Sequence, residues 1–340
     1  MVLAPLNLED VSKYQRSTLI ASRKGTGIPH GHGLKQLKLL GKGSNNAVYL
    51  YKTKHDQLVV VRQPRRKSDT QRVGNATWEF RNTAVAVQLG VAPILYDAWY
   101  NRHSTLDQRG GLHIICEYYP KDLHALMMDT PEAVKPLSPK LRCRVVQHLR
   151  KMADNALFCY DLKPSNMVMN DEPFDIRLID FGRDFCEWRP YSEDNEYLER
   201  APVLSFIQTL AEQHKTPRYS ARLLYADLTY AAMLLILSSN IAFTLDQSRT
   251  ASRRGFADNQ TLNFMAEAAR ELREQTQGQH VHLIKQILRQ RDIRDTLRHY
   301  MGRRNCGTKR CLDYAGFVPE DNECAEDSDA GPSLTARGVL

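Results

Sequence analysis

Tyr160-Asp161-Leu162-Lys163-Pro164-Ser165-Asn166, with Asp180-Phe181-Gly182 downstream of it, decides how this 340-residue chain reads. Between the two runs lies a β-hairpin pattern. Met167-Val168-Met169 is a short apolar strand, Asn170-Asp171-Glu172-Pro173 carries turn chemistry, and Ile176-Arg177-Leu178-Ile179 runs back. A hairpin returns the chain to its start, so the amide oxygen of Asn166 and the carboxylate of Asp180 are expected side by side at its open end. Two hard oxygen donors there suit Mg2+, which is usually held by one or two side chains together with substrate phosphates. Asp161 sits on the loop leading in, placed to accept a hydroxyl proton, and Lys163 puts a cation on the same loop.

Asp161-Leu162-Lys163-Pro164-Ser165-Asn166 resembles the catalytic loop of eukaryotic-type protein kinases, in the Lys-Pro form typical of the Ser/Thr branch. Asp180-Phe181-Gly182 resembles their metal-binding triplet, at the right distance from Asn166. The resemblance covers roughly residues 34 to 300, and the chain looks like the compact, divergent kinases carried by large DNA viruses. It implies an α+β, bilobal protein-kinase-like fold. Residues 34–119 would form a small antiparallel β-sheet lobe with one main helix, and 120–302 a larger, mostly helical lobe. Residues 1–33 read as an N-terminal extension and 303–340 as a tail, first basic and then acidic, whose composition predicts disorder. The resemblance also implies ATP and Mg2+ as cofactors and a protein Ser or Thr hydroxyl as acceptor. In that scheme Asp161 orients and deprotonates the acceptor, Lys163 neutralises the γ-phosphate, and Asn166 and Asp180 are the metal ligands.

Upstream, Gly41-Lys42-Gly43-Ser44-Asn45-Asn46-Ala47-Val48 lies between the apolar runs Leu37–Leu40 and Val48–Tyr51. Glycines let backbone N–H groups approach phosphate oxygens closely. The stretch resembles the kinase Gly-rich loop, with Asn46 where the third Gly usually sits, and Asn tolerates a left-handed backbone. Val59-Val60-Val61-Arg62 reads as the next strand, its period placing Val60 and Arg62 on one face. The resemblance puts a phosphate-binding Lys at this position, paired with a helix Glu. Here it is Arg62, with Glu79 as partner on a helix predicted over Thr77–Leu89. Arg keeps the charge and grips a carboxylate, but it is longer and forked. Lys52, with the face parity of Val48, is the alternative source of an ammonium. Val91–Tyr100 and Leu112–Tyr119 complete the sheet. By resemblance Cys116 is the gatekeeper, Glu117 and Tyr119 offer backbone groups to adenine, Val48 and Val60 roof the base and Val168 floors it. Each of these apolar residues reads equally as plain core.

Downstream, Leu123–Met128 and Pro139–Ala156 read as helices, the second with Leu141, Val145, Val146, Leu149 and Met152 at helical spacing. Cys159-Tyr160 stands where kinases usually carry His-Arg before the Asp, and the missing Arg removes the partner for an activation-loop phosphate. Cys159 reads as a small buried filler. Glu187, Glu193, Asp194, Glu196 and Glu199 form an acidic strip, either solvated or attracting a basic protein substrate. Ala201-Pro202-Val203 lacks the final Glu of the kinase Ala-Pro-Glu. Asp227–Ile236 reads as a central helix, with Asp227 capping the catalytic loop's backbone, and Gln260–Glu274 and Gln279–Tyr300 as amphipathic helices. The basic face of the last, Lys285, Arg289, Arg291, Arg294 and Arg298, fits a solvated surface or one that docks nucleic acid or anionic lipid.

The net charge of +8 agrees with either. Seven cysteines without paired spacing, and a chain start with no signal peptide, predict an intracellular protein, cytoplasmic or nuclear. The apolar run Tyr230–Leu245 is broken by Ser238, Ser239 and Asn240, so it predicts a core helix and no transmembrane segment. His30 with His32, and Cys306 with Cys311, lack the companions a zinc site needs. Two rival readings stand beside the protein kinase. A pseudokinase acting as a binding module is favoured by Arg62, Cys159-Tyr160 and Val203; a small-molecule kinase on the same fold is favoured by the altered segment after Gly182.

Overall fold

Alternation along Leu58–Pro64 sets the architecture. Val59 and Val61 are fully buried on one side of a sheet, while Val60 and Arg62 lie half-buried on the other. The structure is a computed structural model and describes residues 3–6, 8, 22–23, 33–42, 46–64, 73–101, 111–129, 139–182, 186–191, 202–217, 219–247 and 290. A six-stranded sheet is built from β1 (Ser22–Arg23), β2 (Lys35–Lys42), β3 (Asn46–Lys52), β4 (Leu58–Pro64), β5 (Leu95–Asn101) and β6 (Gly111–Glu117), in the order β1-β5-β6-β4-β3-β2. Every pairing in it is antiparallel except β1 with β5. Helix α1 (Val73–Gln88) lies between β4 and β5 in the chain. There follow β7 (Lys121–Asp122), α2 (Leu123–Asp129), α3 (Pro139–Asp154), β8 (Leu157–Cys159), β9 (Met167–Asp171), β10 (Phe174–Leu178), β11 (Cys186–Trp188), α4 (Pro202–His214) and α5 (Ala221–Gln247). The predicted hairpin is β9–β10, with β7 on its other side, and β8 pairs with β11. The described residues thus form a mixed α+β fold with antiparallel sheets.

Register assigns the faces. Val48 and Ile114 lie opposite Arg62, and Leu50 and Cys116 opposite Val60, so these side chains share one face. The other face carries a small core of Tyr51, Val59, Val61, Trp99 and Ile115, with the His113 ring stacked on Trp99 at 5.0 Å between centroids. The first face joins the main core through Phe80 and Ala84 of α1. That core runs on through Leu149 and Met152 of α3, Met167, Met169, Ile176 and Leu178 of the hairpin, and Leu204, Leu228 and Met233 of α4 and α5. Alternate residues of β9 and β10 therefore point into it, as period two demands.

Helix α1 begins a turn before the predicted Thr77, because fully buried Ala76 adds a core contact that outweighs the weak propensity of Gly74. It ends at Gly90, whose φ of +65 is the left-handed conformation that closes a helix and favours glycine. Helices α3 and α4 open on Pro139 and Pro202, where a missing N–H does no harm. Part of the predicted N-terminal extension belongs to the core: Leu8 is buried in it, and Leu6 donates its N–H to the Leu95 carbonyl at 2.7 Å. β2 is the far edge of the sheet. Its Leu37, Leu39 and Leu40 are each at least 40% exposed, between Lys35, Lys38 and Lys42. Tyr230–Leu245 falls within α5, and no helix among the described residues is long and apolar enough to cross a membrane. The helices predicted over Gln260–Glu274 and Gln279–Tyr300 (save Gln290), the two histidines, the paired-looking Cys306 and Cys311, and the tail lie outside the described residues.

His148 of α3 fastens the hairpin to the helical part. Its Nε2 lies 2.8 Å from the Ile176 carbonyl, which fixes it as the protonated nitrogen of a neutral ring. Burial pulls its pKa down to about 4; the bond to Ile176 opposes this, and Arg177, Arg144 and Lys151 add to it. Between that value and the ordinary 6.5 the unfolded chain holds a proton that the folded one refuses, so stability falls as pH drops through this window. We expect His148 to remove about 2 kcal/mol between pH 7.5 and pH 5. Urea unfolding at both pH values checks this: His148→Gln, which keeps a donor for Ile176, should lose that part of the slope. An unchanged slope contradicts the assignment.

Candidate functional site

Asp161 is a carboxylate held in the interior. Tyr160 and Leu162 on either side are 3% and 2% exposed and anchor the loop in the core, which carries Asp161 in with them. Pro164–Asn166 then forms a single 3-10 turn. Lys163 Nζ donates to Asp161 Oδ2 at 2.7 Å, and Asn166 Nδ2 donates to the same oxygen at 3.0 Å and to the Asp161 carbonyl at 2.9 Å. From α5, Asn240 Nδ2 donates to the Leu162 carbonyl at 2.7 Å. The loop is therefore fixed at three consecutive residues, and Asp161 is built to accept.

The hairpin delivers Asp180. Met167 opposes Leu178, and the Ile179 N–H donates to the Asn166 carbonyl at 2.9 Å, extending the ladder until Asp180 emerges beside Asn166. Asp180 has a φ of 68, a left-handed conformation that few side chains adopt and that persists only where the surroundings enforce it. The Phe181 side chain is buried in the main core. The Asp180 carboxylate is 39% exposed and lies 3.9 Å from an Arg62 guanidinium nitrogen, while the other terminal nitrogen of Arg62 bonds the Glu79 carboxylate of α1. Burial lowers the Arg62 pKa and Asp180, then Cys116, push it back up; a guanidinium stays charged all the same. Burial also pushes the Cys116 thiol up to about 12, which keeps it neutral.

The residues expected around a nucleotide are only partly gathered. Val48, Val60 and Cys116 share the face of Arg62. Gly41 and Lys42 end β2 and Asn46 begins β3, but Gly43, Ser44 and Asn45 between them lie outside the described residues. A Cβ on Gly41 would meet nothing within 4 Å, so the space beside it is open. The Glu117 N–H already donates to the Ile94 carbonyl at 2.9 Å and is not available to a ligand. Tyr119 does something its sequence did not announce. Its hydroxyl donates to Asp175 at 2.8 Å and accepts from Arg177 Nε at 3.1 Å, while Arg177 also donates to the Gly90 carbonyl, so the hairpin is tied to the sheet and to the end of α1. Val168 opposes Arg177 and lies on that same face of the hairpin.

Two expectations are corrected. Lys52 shares the parity of Val48 but opposes Leu58, four residues along the strand and roughly 13 Å from the level of Arg62; it pairs with Asp56 at 2.6 Å and cannot replace the missing ammonium. Glu187 is buried at 6% and belongs to no solvated acidic strip, and Glu193, Asp194, Glu196 and Glu199 lie outside the described residues. Asn240 holds the loop backbone from α5, and Asp227 on the same helix bonds Arg150 and Tyr219. Asn82 and Asn240 were missed altogether. The one signal for Asn240 was the polar break in the apolar run, and for Asn82 its spacing of three from Glu79, which puts both on one helix face. A cavity of about 800 Å3 lined by Val85, Leu89, Ala156, Trp188, Tyr191 and Leu223 lies elsewhere and includes none of the candidate site residues.

Chemically, the end of the hairpin suits a hard divalent cation. The Asn166 amide nitrogen is engaged by Asp161, which leaves its oxygen as the atom to offer a cation, and the partly exposed Asp180 follows Ile179, whose N–H bonds the Asn166 carbonyl. For the Arg62–Glu79 pair we expect Arg62→Met to destabilise the fold by about 3 kcal/mol, because Glu79 loses its guanidinium in a buried site. The double variant Arg62→Met/Glu79→Leu should recover to within about 1 kcal/mol of wild type. Urea unfolding measures both, and a single variant as stable as wild type would contradict the pairing.

No protein-family model and no curated protein matches this chain, so its functional reading rests on the geometry of these residues.

Proposed function

We propose that the chain is a bilobal, protein-kinase-like phosphotransferase that passes the terminal phosphoryl group of ATP to a Ser or Thr hydroxyl of a protein. In this reading the six-stranded sheet with α1 is the smaller lobe and the segment from α2 onward the larger. The observation that carries it is the convergence of Asp161, Lys163, Asn166, Asp180 and the Arg62–Glu79 pair, drawn from β4, α1, the loop after β8 and the end of β10.

Phosphoryl transfer asks little covalent chemistry of a protein and much positioning and charge compensation. Asp161 Oδ2, oriented by Lys163 and Asn166, accepts the proton of the attacking hydroxyl. Lys163, freed from Asp161 when the acceptor arrives, balances charge on the phosphoryl group. Arg62, steadied by Glu79, grips the α- and β-phosphates. Mg2+, held by Asn166 and Asp180, supplies neutralisation of the phosphate oxygens when bound.

A second reading has its own observation. Arg62 already lies between Glu79 and Asp180, and Lys52 is too remote to help, so among the described residues no lysine stands at the phosphate position. A nucleotide-binding module with little transfer would have this feature.

Purified protein given Mg2+ and γ-labelled ATP should label itself or a basic protein, and Asp161→Asn should lower the rate at least about 100-fold. Arg62→Lys should give equal or higher turnover. Nucleotide binding without transfer in wild type and Asp161→Asn alike would select the binding module; transfer to small metabolites alone would assign a different acceptor.

A further inference from the structure

Asn82 lies on α1, three residues after Glu79 and therefore on the same helix face. It is fully buried. Its Nδ2 donates to the Phe181 carbonyl at 3.3 Å and to the Cys186 carbonyl at 2.9 Å, gathering two points five residues apart onto one amide. The Cys186 N–H donates to the Gly182 carbonyl at 2.9 Å. The other end of the Asn82 amide gains nothing: Oδ1 is buried without a hydrogen-bond partner. An oxygen in that state disfavours the fold, and a leucine, with the same number of side-chain heavy atoms, would remove the penalty. What only the amide provides is the pair of N–H bonds to the segment that follows Asp180.

That segment needs holding. Asp180 is in a left-handed backbone conformation, which its surroundings must enforce, and Phe181 is the next residue. A second grip from the same helix lies beside the first, where the Arg81 guanidinium sits over the Trp188 ring of β11 at 4.2 Å from its centroid. One helix face thus reaches the two halves of the candidate site: Glu79 sets Arg62, and Asn82 sets the backbone next to Asp180.

We infer that Asn82 is a positioning residue, which holds the Phe181 and Cys186 carbonyls to α1 and so makes the metal-ligating placement of Asp180 depend on where α1 sits. The inference rests on the proposed function for its metal side, and on geometry alone for its backbone side.

Two measurements test it on the full chain. In the free protein, hydrogen exchange of the backbone amides over residues 181–188 should speed up at least tenfold in Asn82→Leu, with α3 and α5 unchanged. With ATP, the Mg2+ concentration that half-saturates binding should rise at least tenfold, while nucleotide binding without metal stays within twofold. Asn82→Asp, which keeps the volume and removes both donors, should show the same two changes and serves if the leucine variant does not fold. Unchanged exchange overturns the role of Asn82 whatever ATP does. Faster exchange with an unmoved Mg2+ requirement overturns the link to Asp180. A wild type whose ATP binding ignores Mg2+ overturns the proposed function, and with it the metal side of the inference, while the exchange result still judges the backbone side.

Discussion

A guanidinium held between two carboxylates organises this molecule. Arg62 stands on a central strand with Glu79 of α1 on one side and Asp180, just past the end of β10, on the other. A charge in a half-buried place is tolerated only when its partners are brought to it. Sheet, helix and hairpin are therefore not free to settle independently. Placing α1 against the sheet brings Glu79 to Arg62, and it also brings Asn82 to the Phe181 carbonyl and Arg81 to Trp188. The Tyr119–Asp175–Arg177 cluster, ending on the Gly90 carbonyl, secures the same three elements from another direction.

Local chemistry is what could be read from the chain. The β9–β10 hairpin is legible because turn residues and period two are both local, and its strands form where Met167 to Ile179 placed them. The faces of β4 follow from parity alone, whereas the meeting of Arg62 with Glu79 on the next helix is what the resemblance implied. Parity gives a face but not a height along the strand, which is why Lys52 reads as a neighbour of Arg62 and is not one.

The long-range polar contacts were closed to sequence reading for a different reason. Asn82 and Asn240 both bond backbone carbonyls, and a carbonyl has no residue identity for a pattern to reveal. Asn240 reads only as a polar interruption in an apolar helix, and Asn82 only as a neighbour of Glu79 on one helix face. Tyr119 reads as the end of a strand because its partners, Asp175 and Arg177, lie more than fifty residues on. The N-terminal residues suffer likewise: nothing about Leu6 and Leu8 says that Leu95 and Gln88 will receive them.

The outer strand β2 shows greasy side chains and, among the described residues, an unpaired backbone rim, studded with three lysines. Positive studs on an open rim keep two copies from zipping together, because like charges meet before the strands can. That safeguard is purely electrostatic and reaches only as far as the ionic atmosphere allows, about 10 Å in 0.1 M salt and about 3 Å in 1 M. Concentrated salt, usually chosen to keep basic proteins dispersed, strips this one of its protection and leaves it prone to clump along that rim.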